Sequence, residues 1–206
     1  DVRITNSPAQ EAAKSAMETN TPPQKPASAS FADTTPVQIK NTTPRASATI
    51  PLADIKACII KPAQQIGPCY DALFRAFLKT NTTVDALKIV AHYEDTDSQL
   101  RYACHPVVHA IGREIFAKTR TVHDAFAACD QTCHSGCYHG AMERFLRGDQ
   151  NNDGIAKHIS DEELEMKTAT ACPDDQPSRF RFQCLHGLGH ALLFSLDYKL
   201  AATLRI

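Results

Sequence analysis

Cysteines recur along this chain in pairs, one closing a helical segment and the next opening another. No other feature limits the fold as much. "ADIKAC" ends at Cys58 and "CYDALFRAF" starts at Cys69. "VHDAFAAC" ends at Cys129 and "CYHGAMERF" starts at Cys137. "LEMKTATAC" ends at Cys172 and "CLHGLGHALL" starts at Cys184. The unit after the first has "VDALKIVAHYE" followed by "ACHPVVHAIGRE", where no cysteine closes the first segment and Ala103 fills the second slot. Both members of the pair are missing together, as expected if each pair is a disulfide. The predicted bridges are Cys58–Cys69, Cys129–Cys137 and Cys172–Cys184, with loop-closure stabilisation of roughly 2–3 kcal/mol each. Cys104 and Cys133, each immediately before a histidine, remain to form a fourth.

The segments joined this way read as helices. Thr83 is placed to cap "VDALKIVAHYE", and Asp97 or Ser98 to start a helix with Leu100, Ala103, Val107, Val108, Ile111 and Ile115 on one apolar stripe. Pro106 predicts a break inside that stripe. Ser160 with Glu163 forms a capping-box pattern, and Ser178 is placed to cap "RFRFQCLHGLGHALLFSL". Strand-like alternation is nearly absent, so the expected fold is all-α. It is a disulfide-braced run of αα-hairpin repeats over residues 51–206, curving into a superhelix or partial toroid. "LDYKLAATLRI" reads as a further first helix cut short before its cysteine, so a C-terminal truncation is expected. Residues 1–50 contain Pro8, Pro22, Pro23, Pro26, Pro36 and Pro44, with Phe31 as the one aromatic and no Cys, His or Gly. Such a segment cannot bury enough apolar surface to offset its ordering entropy, and it reads as a disordered tether.

The repeat resembles the cysteine-bridged Sel1-like αα repeats, in which Ala-Cys and Gly-Cys steps tie neighbouring helices. Here the matching residues are Ala128-Cys129 and Gly136-Cys137. The other units have longer loops, and the His-Gly steps lie outside that pattern. The resemblance implies a scaffold that binds another protein.

Eight cysteines in patterned pairs favour an oxidising compartment, extracellular or periplasmic, over a reduced cytosol where they would hold zinc. With 22 basic and 23 acidic residues and no block of like charge, a phosphate-tracking surface is not expected, so nucleic acid is excluded as a partner. No apolar run reaches the roughly 20 residues of a membrane span. Asn41 and Asn81 head glycosylation sequons, relevant only in a eukaryotic source.

Aligned on their second helices, the units stack their polar residues. His105 and His109 stand in one, His139 and Glu143 in the next, and His186 and His190 in the last; Asp71 and Arg75 take the same places in the first unit. Spacing of i, i+4 puts both side chains of a pair on one helix face, where their lone pairs can reach one ion. Gly112, Gly140, Gly187 and Gly189 lie beside them, as close helix approach or a site needing backbone access would require. The competing interpretation is a structural histidine ladder copied by duplication. As a metal site, the set suits zinc, copper or iron. With His134 it offers six histidines for a coupled two-copper centre. Alternatively, three histidines hold zinc with Glu143 as the catalytic base of a hydrolase, or His105, His109, His139, His186 and His190 converge with Glu143 as a sixth ligand or the base.

Two other motifs compete. "CDQTCH" is one residue longer than the haem-attachment signature and uses Cys129, so haem is not expected. Asp149, Asn151 and Asp153, followed by Gly154, match the first half of a calcium loop. Its twelfth position is Ser160 instead of Glu, which favours a polar turn. Nucleophile elbow, phosphate loop and dinucleotide fingerprint are all missing. The function classes left are a metal-binding protein or metal-dependent enzyme, with a small molecule or a protein as partner, and a disulfide-stabilised binding scaffold.

Overall fold

Nine helices and no strand make up the described residues, 49–149, 159–174 and 177–206, of the computed structural model. The predicted tether up to residue 48, and Asn151 and Asp153 of the candidate calcium loop, lie outside them. Ile50, assigned by composition to the tether, is buried, and its carbonyl accepts a hydrogen bond from Tyr93 Oη at 2.8 Å.

Helix starts follow local capping chemistry more closely than the sequence pattern alone indicates. Helices α1 (Leu52–Ile59) and α2 (Ala63–Phe77) are followed by α3 (Thr83–Thr96). Thr82, not the expected Thr83, caps α3, because Asp85 three residues on completes a reciprocal capping box with it. Helix α4 (Ser98–Thr119) starts as predicted, with Asp97 Oδ1 accepting from Leu100 N at 2.9 Å. It is one helix, and the break expected at Pro106 does not occur. Proline removes the bond to the carbonyl of Tyr102, but Tyr102 is 92% exposed, so that turn lies on the solvent side of the helix. Val107 and Val108, both fully buried, hold the following turn against the core.

Helix α5 (Val122–Ala128) is capped by Thr121, and α6 runs over Thr132–Arg147. In α7 (Asp161–Ala171), Ser160 Oγ accepts from Glu163 N, while the Glu163 carboxylate turns to Lys167 at 2.9 Å. In α8 (Ser178–Ser195), Ser178 is the first helical residue and Pro177 occupies the cap position. Pro62 does the same before α2. Proline suits a helix start because its φ is preset and its missing N–H would be unpaired there anyway. Both second helices therefore begin before their cysteines. The chain ends with the short α9 (Leu200–Thr203).

All four cysteine pairs are disulfides, as predicted, with Cα separations of 5.5 Å for Cys58–Cys69 and Cys104–Cys133, 5.6 Å for Cys129–Cys137 and 5.7 Å for Cys172–Cys184. The second helices α2, α4, α6 and α8 pack in series, with the most extensive interface between α4 and α6. Three glycines make that interface close, and a Cβ on Gly136 would lie 2.8 Å from the His105 carbonyl. A Cβ on Gly140 would overlap the His109 carbonyl, and one on Gly112 would overlap the Cys137 carbonyl. Gly187 meets Met142 Cγ at 3.1 Å from its would-be Cβ, but Gly189 has open space, so close approach does not explain its presence.

Candidate metal centre

The close α4–α6 contact brings histidines of both helices edge to edge. His105 and His109, one turn apart on α4, have ring centroids 4.6 Å apart. His139 of α6 faces both and completes a triangle of rings, at 5.0 Å from His105 and 5.4 Å from His109. The potential ligand atoms of the three rings all lie within 4.8 Å of one another.

Partners behind the rings fix which nitrogen faces the centre. His105 Nδ1 donates to the Cys133 carbonyl at 2.8 Å, and His109 Nδ1 donates to Glu143 Oε1 at 2.8 Å. A neutral ring that donates through Nδ1 carries its lone pair on Nε2. His139 Nδ1 stands 3.1 Å from His105 Nε2. Ligand atoms at about 2.0–2.1 Å from one tetrahedral ion are about 3.3 Å apart, so this spacing fits a shared ion. His109 Nε2 and His139 Nε2 are buried without a hydrogen-bond partner. An unsatisfied buried polar group costs about 1–3 kcal/mol, which coordination would remove.

Glu143 is not at the centre. Its Oε1 accepts from His109, and its Oε2 accepts from Arg113 Nη1 at 2.6 Å. Arg113 in turn holds Asp71 of α2, through Nε at 2.9 Å. A chain Asp71–Arg113–Glu143–His109, with both carboxylates buried, thus spans three second helices. Carboxylates that accept the outer N–H of a ligand histidine orient the ring and raise its basicity. Burial raises the Glu143 pKa, but the hydrogen bond from His109 and the Arg113 charge outweigh it and bring it down to about 2. Arg75, the other polar residue of the first unit, pairs with Glu114 at 2.7 Å. Arg113 was missed from sequence, although it continues the four-residue step from His105 and His109.

His139 and His105 resist protonation. Burial, followed by the neighbouring imidazoles, lowers His139 from 6.5 to about 3. Burial also lowers His105, against the opposing hydrogen bond to Cys133. Neutral imidazoles are the form in which histidine ligates a metal.

A second group shares His139. His186 and His190 of α8 lie 4.7 and 4.5 Å from it by ring centroid, and their Nε2 atoms are 3.1 Å apart. All three again offer ligand atoms within 4.8 Å of one another. Both α8 rings are exposed, unlike His139. His134 belongs to neither group; it is exposed, in the left-handed run Cys133–Ser135 with φ of 52°, 55° and 65°. Glu94 with Cys104 and Cys133 forms a third grouping, but both sulfurs are in a disulfide and cannot act as thiolates. Asp149 of the candidate calcium loop is held by Arg120 at 2.9 Å and Arg144 at 3.2 Å, two cations that compete with a calcium ion.

Histidine groups of this kind could hold a metal ion, and the disulfides suit a compartment outside the cytoplasm. Among the described residues no helix is long and apolar enough to cross a membrane. No family model matches the chain, and neither a curated protein nor a solved structure matches it.

Proposed function

We propose that this is an extracytoplasmic transition-metal-binding protein, built on a curved run of disulfide-braced helical hairpins and holding its ion on His105, His109 and His139. One observation carries this reading: two rings are fixed from behind by Cys133 and Glu143 so that their Nε2 lone pairs face inward, where His109 Nε2 lies buried and unpartnered. Three neutral nitrogen ligands suit zinc, copper or iron, and a three-ligand set leaves a coordination position for an exogenous ligand. Both oxygens of Glu143 are engaged by donors, so binding is favoured over hydrolysis with Glu143 as base.

The test is elemental analysis of protein purified without a histidine tag, followed by metal titration of the chelator-treated form. About one ion or more per chain is expected, with loss of binding in His105→Ala and His109→Ala. A chain that stays metal-free, and takes up none on titration, overturns the reading. The scaffold role implied by the Sel1-like spacing then takes its place.

A further inference from the structure

His139 has two ring nitrogens, and the fold gives each a different set of neighbours. Its Nδ1 edge faces α4, 3.1 Å from His105 Nε2. The opposite edge faces α8: a Cβ built on Gly187 would lie 3.7 Å from His139 Cδ2, the carbon bonded to Nε2. Nε2 on that edge is buried and unpartnered, beside two histidines that offer nitrogens. We propose that His139 is a bridging imidazolate between two metal ions, the first held with His105 and His109 and the second with His186 and His190. The proposal rests on the single-ion reading above and adds a second position, with its own ligands, to it.

The chemistry balances simply. A neutral imidazole keeps one ring proton when its first nitrogen binds a metal. The second ion takes the other nitrogen, and that proton leaves to solvent, making His139 an anionic ligand to both ions. The two positions differ in access. His105 and His109 are half-buried and held from behind, whereas His186 and His190 are exposed on α8. His190 now stacks on His139 with 19° between ring planes, so its ring must turn to bring its lone pair into the His139 plane. Exposure permits that rotation. The second position is therefore the weaker and more labile one, open to a small anionic or neutral ligand from solvent.

Cupric ion is a suitable probe, because two Cu(II) ions joined by an imidazolate couple antiferromagnetically and lose paramagnetic signal. The full chain without a tag is titrated with Cu(II) in a non-coordinating buffer while electron paramagnetic resonance and proton release are followed. The expected result is two ions per chain, with signal rising over the first equivalent and falling over the second as one further proton is released. His186→Gln/His190→Gln, two exposed substitutions that leave the core intact, should bind one ion and keep its full signal. One ion in both proteins overturns the second position but leaves the first reading standing. Two ions with full, uncoupled signal overturn the bridge. No ion bound overturns both.

Discussion

Two donors share the Glu143 carboxylate, and this decides what the residue does. Glutamine has one acceptor oxygen, so Glu143→Gln leaves an N–H facing either His109 or Arg113. Loss of a buried charged hydrogen bond is expected to cost about 1.5–3 kcal/mol. In a chain of this size that lowers Tm by roughly 5–10 °C. Metal affinity should fall about 10–100-fold, because His109 loses the partner that orients it. A competition titration that finds unchanged affinity would remove Glu143 from the site's support. His139 sets a pH dependence in the metal-free protein. Its folded pKa of about 3 lies below the ordinary 6.5, so between these values the unfolded chain holds the extra proton. Stability is fully present above about pH 6.5 and is lost as pH falls toward 3, by at most about 1.4 kcal/mol per pH unit for this ring. Glu143 acts in the same direction over a lower window, from 4.5 to about 2. Urea midpoints of the metal-free protein should therefore drop between about pH 7 and pH 5, before any carboxylate of this pair titrates. A flat profile there would contradict a buried neutral His139.

At the scale of elements, glycine separates close packing from mere presence. Gly140→Ala would push its new Cβ into the His109 carbonyl and force α4 and α6 apart. Overpacking of this kind costs about 1–3 kcal/mol, and here it also separates His109 from His139. Gly189→Ala meets open space within α8 and should stabilise by up to about 1 kcal/mol through helix propensity. Paired melts and metal titrations check both; equal effects would mean the α4–α6 approach is not tight. The histidine pairs were legible in the sequence because i, i+4 spacing is a property of one helix. So was the disulfide pairing, because the missing pair in the second unit marked the others. The role of Glu143 was not legible, since its direction depends on Arg113 of another helix. Nor was the left-handed run at Cys133–Ser135, where no glycine marks the turn. Pro106 misled because its cost depends on whether the turn holding Tyr102 lies on the solvent side of the helix, which local sequence does not show.

For the whole molecule, the four bridges differ in what they hold. Cys58–Cys69 and Cys172–Cys184 each tie the end of a first helix to the second helix after it, with separations of 11 and 12 residues. Cys104–Cys133 spans 29 residues and joins α4 to the start of α6. Loop-closure entropy makes it the strongest of the set, at about 3.6 kcal/mol against about 2.5–2.8 kcal/mol for the shorter loops. Its position matters more than its size. Cys104 precedes His105, and the Cys133 carbonyl accepts the His105 Nδ1–H bond. Three consecutive left-handed residues beginning at Cys133 cost roughly 1–2 kcal/mol each, so that backbone needs an external restraint to keep its carbonyl in place. Cys104→Ser/Cys133→Ser should therefore lower both Tm and metal affinity. Cys58→Ser/Cys69→Ser should lower Tm alone, because α1 and the start of α2 carry none of the histidines. The wild-type protein, denatured without reductant, should show no reactive thiol, since none of its described cysteines is free. After gentle reduction, metal release should track reduction of Cys104–Cys133, read by differential thiol labelling and mass mapping. Release that precedes any labelling of Cys104 or Cys133 would show that this brace does not hold His105 in place.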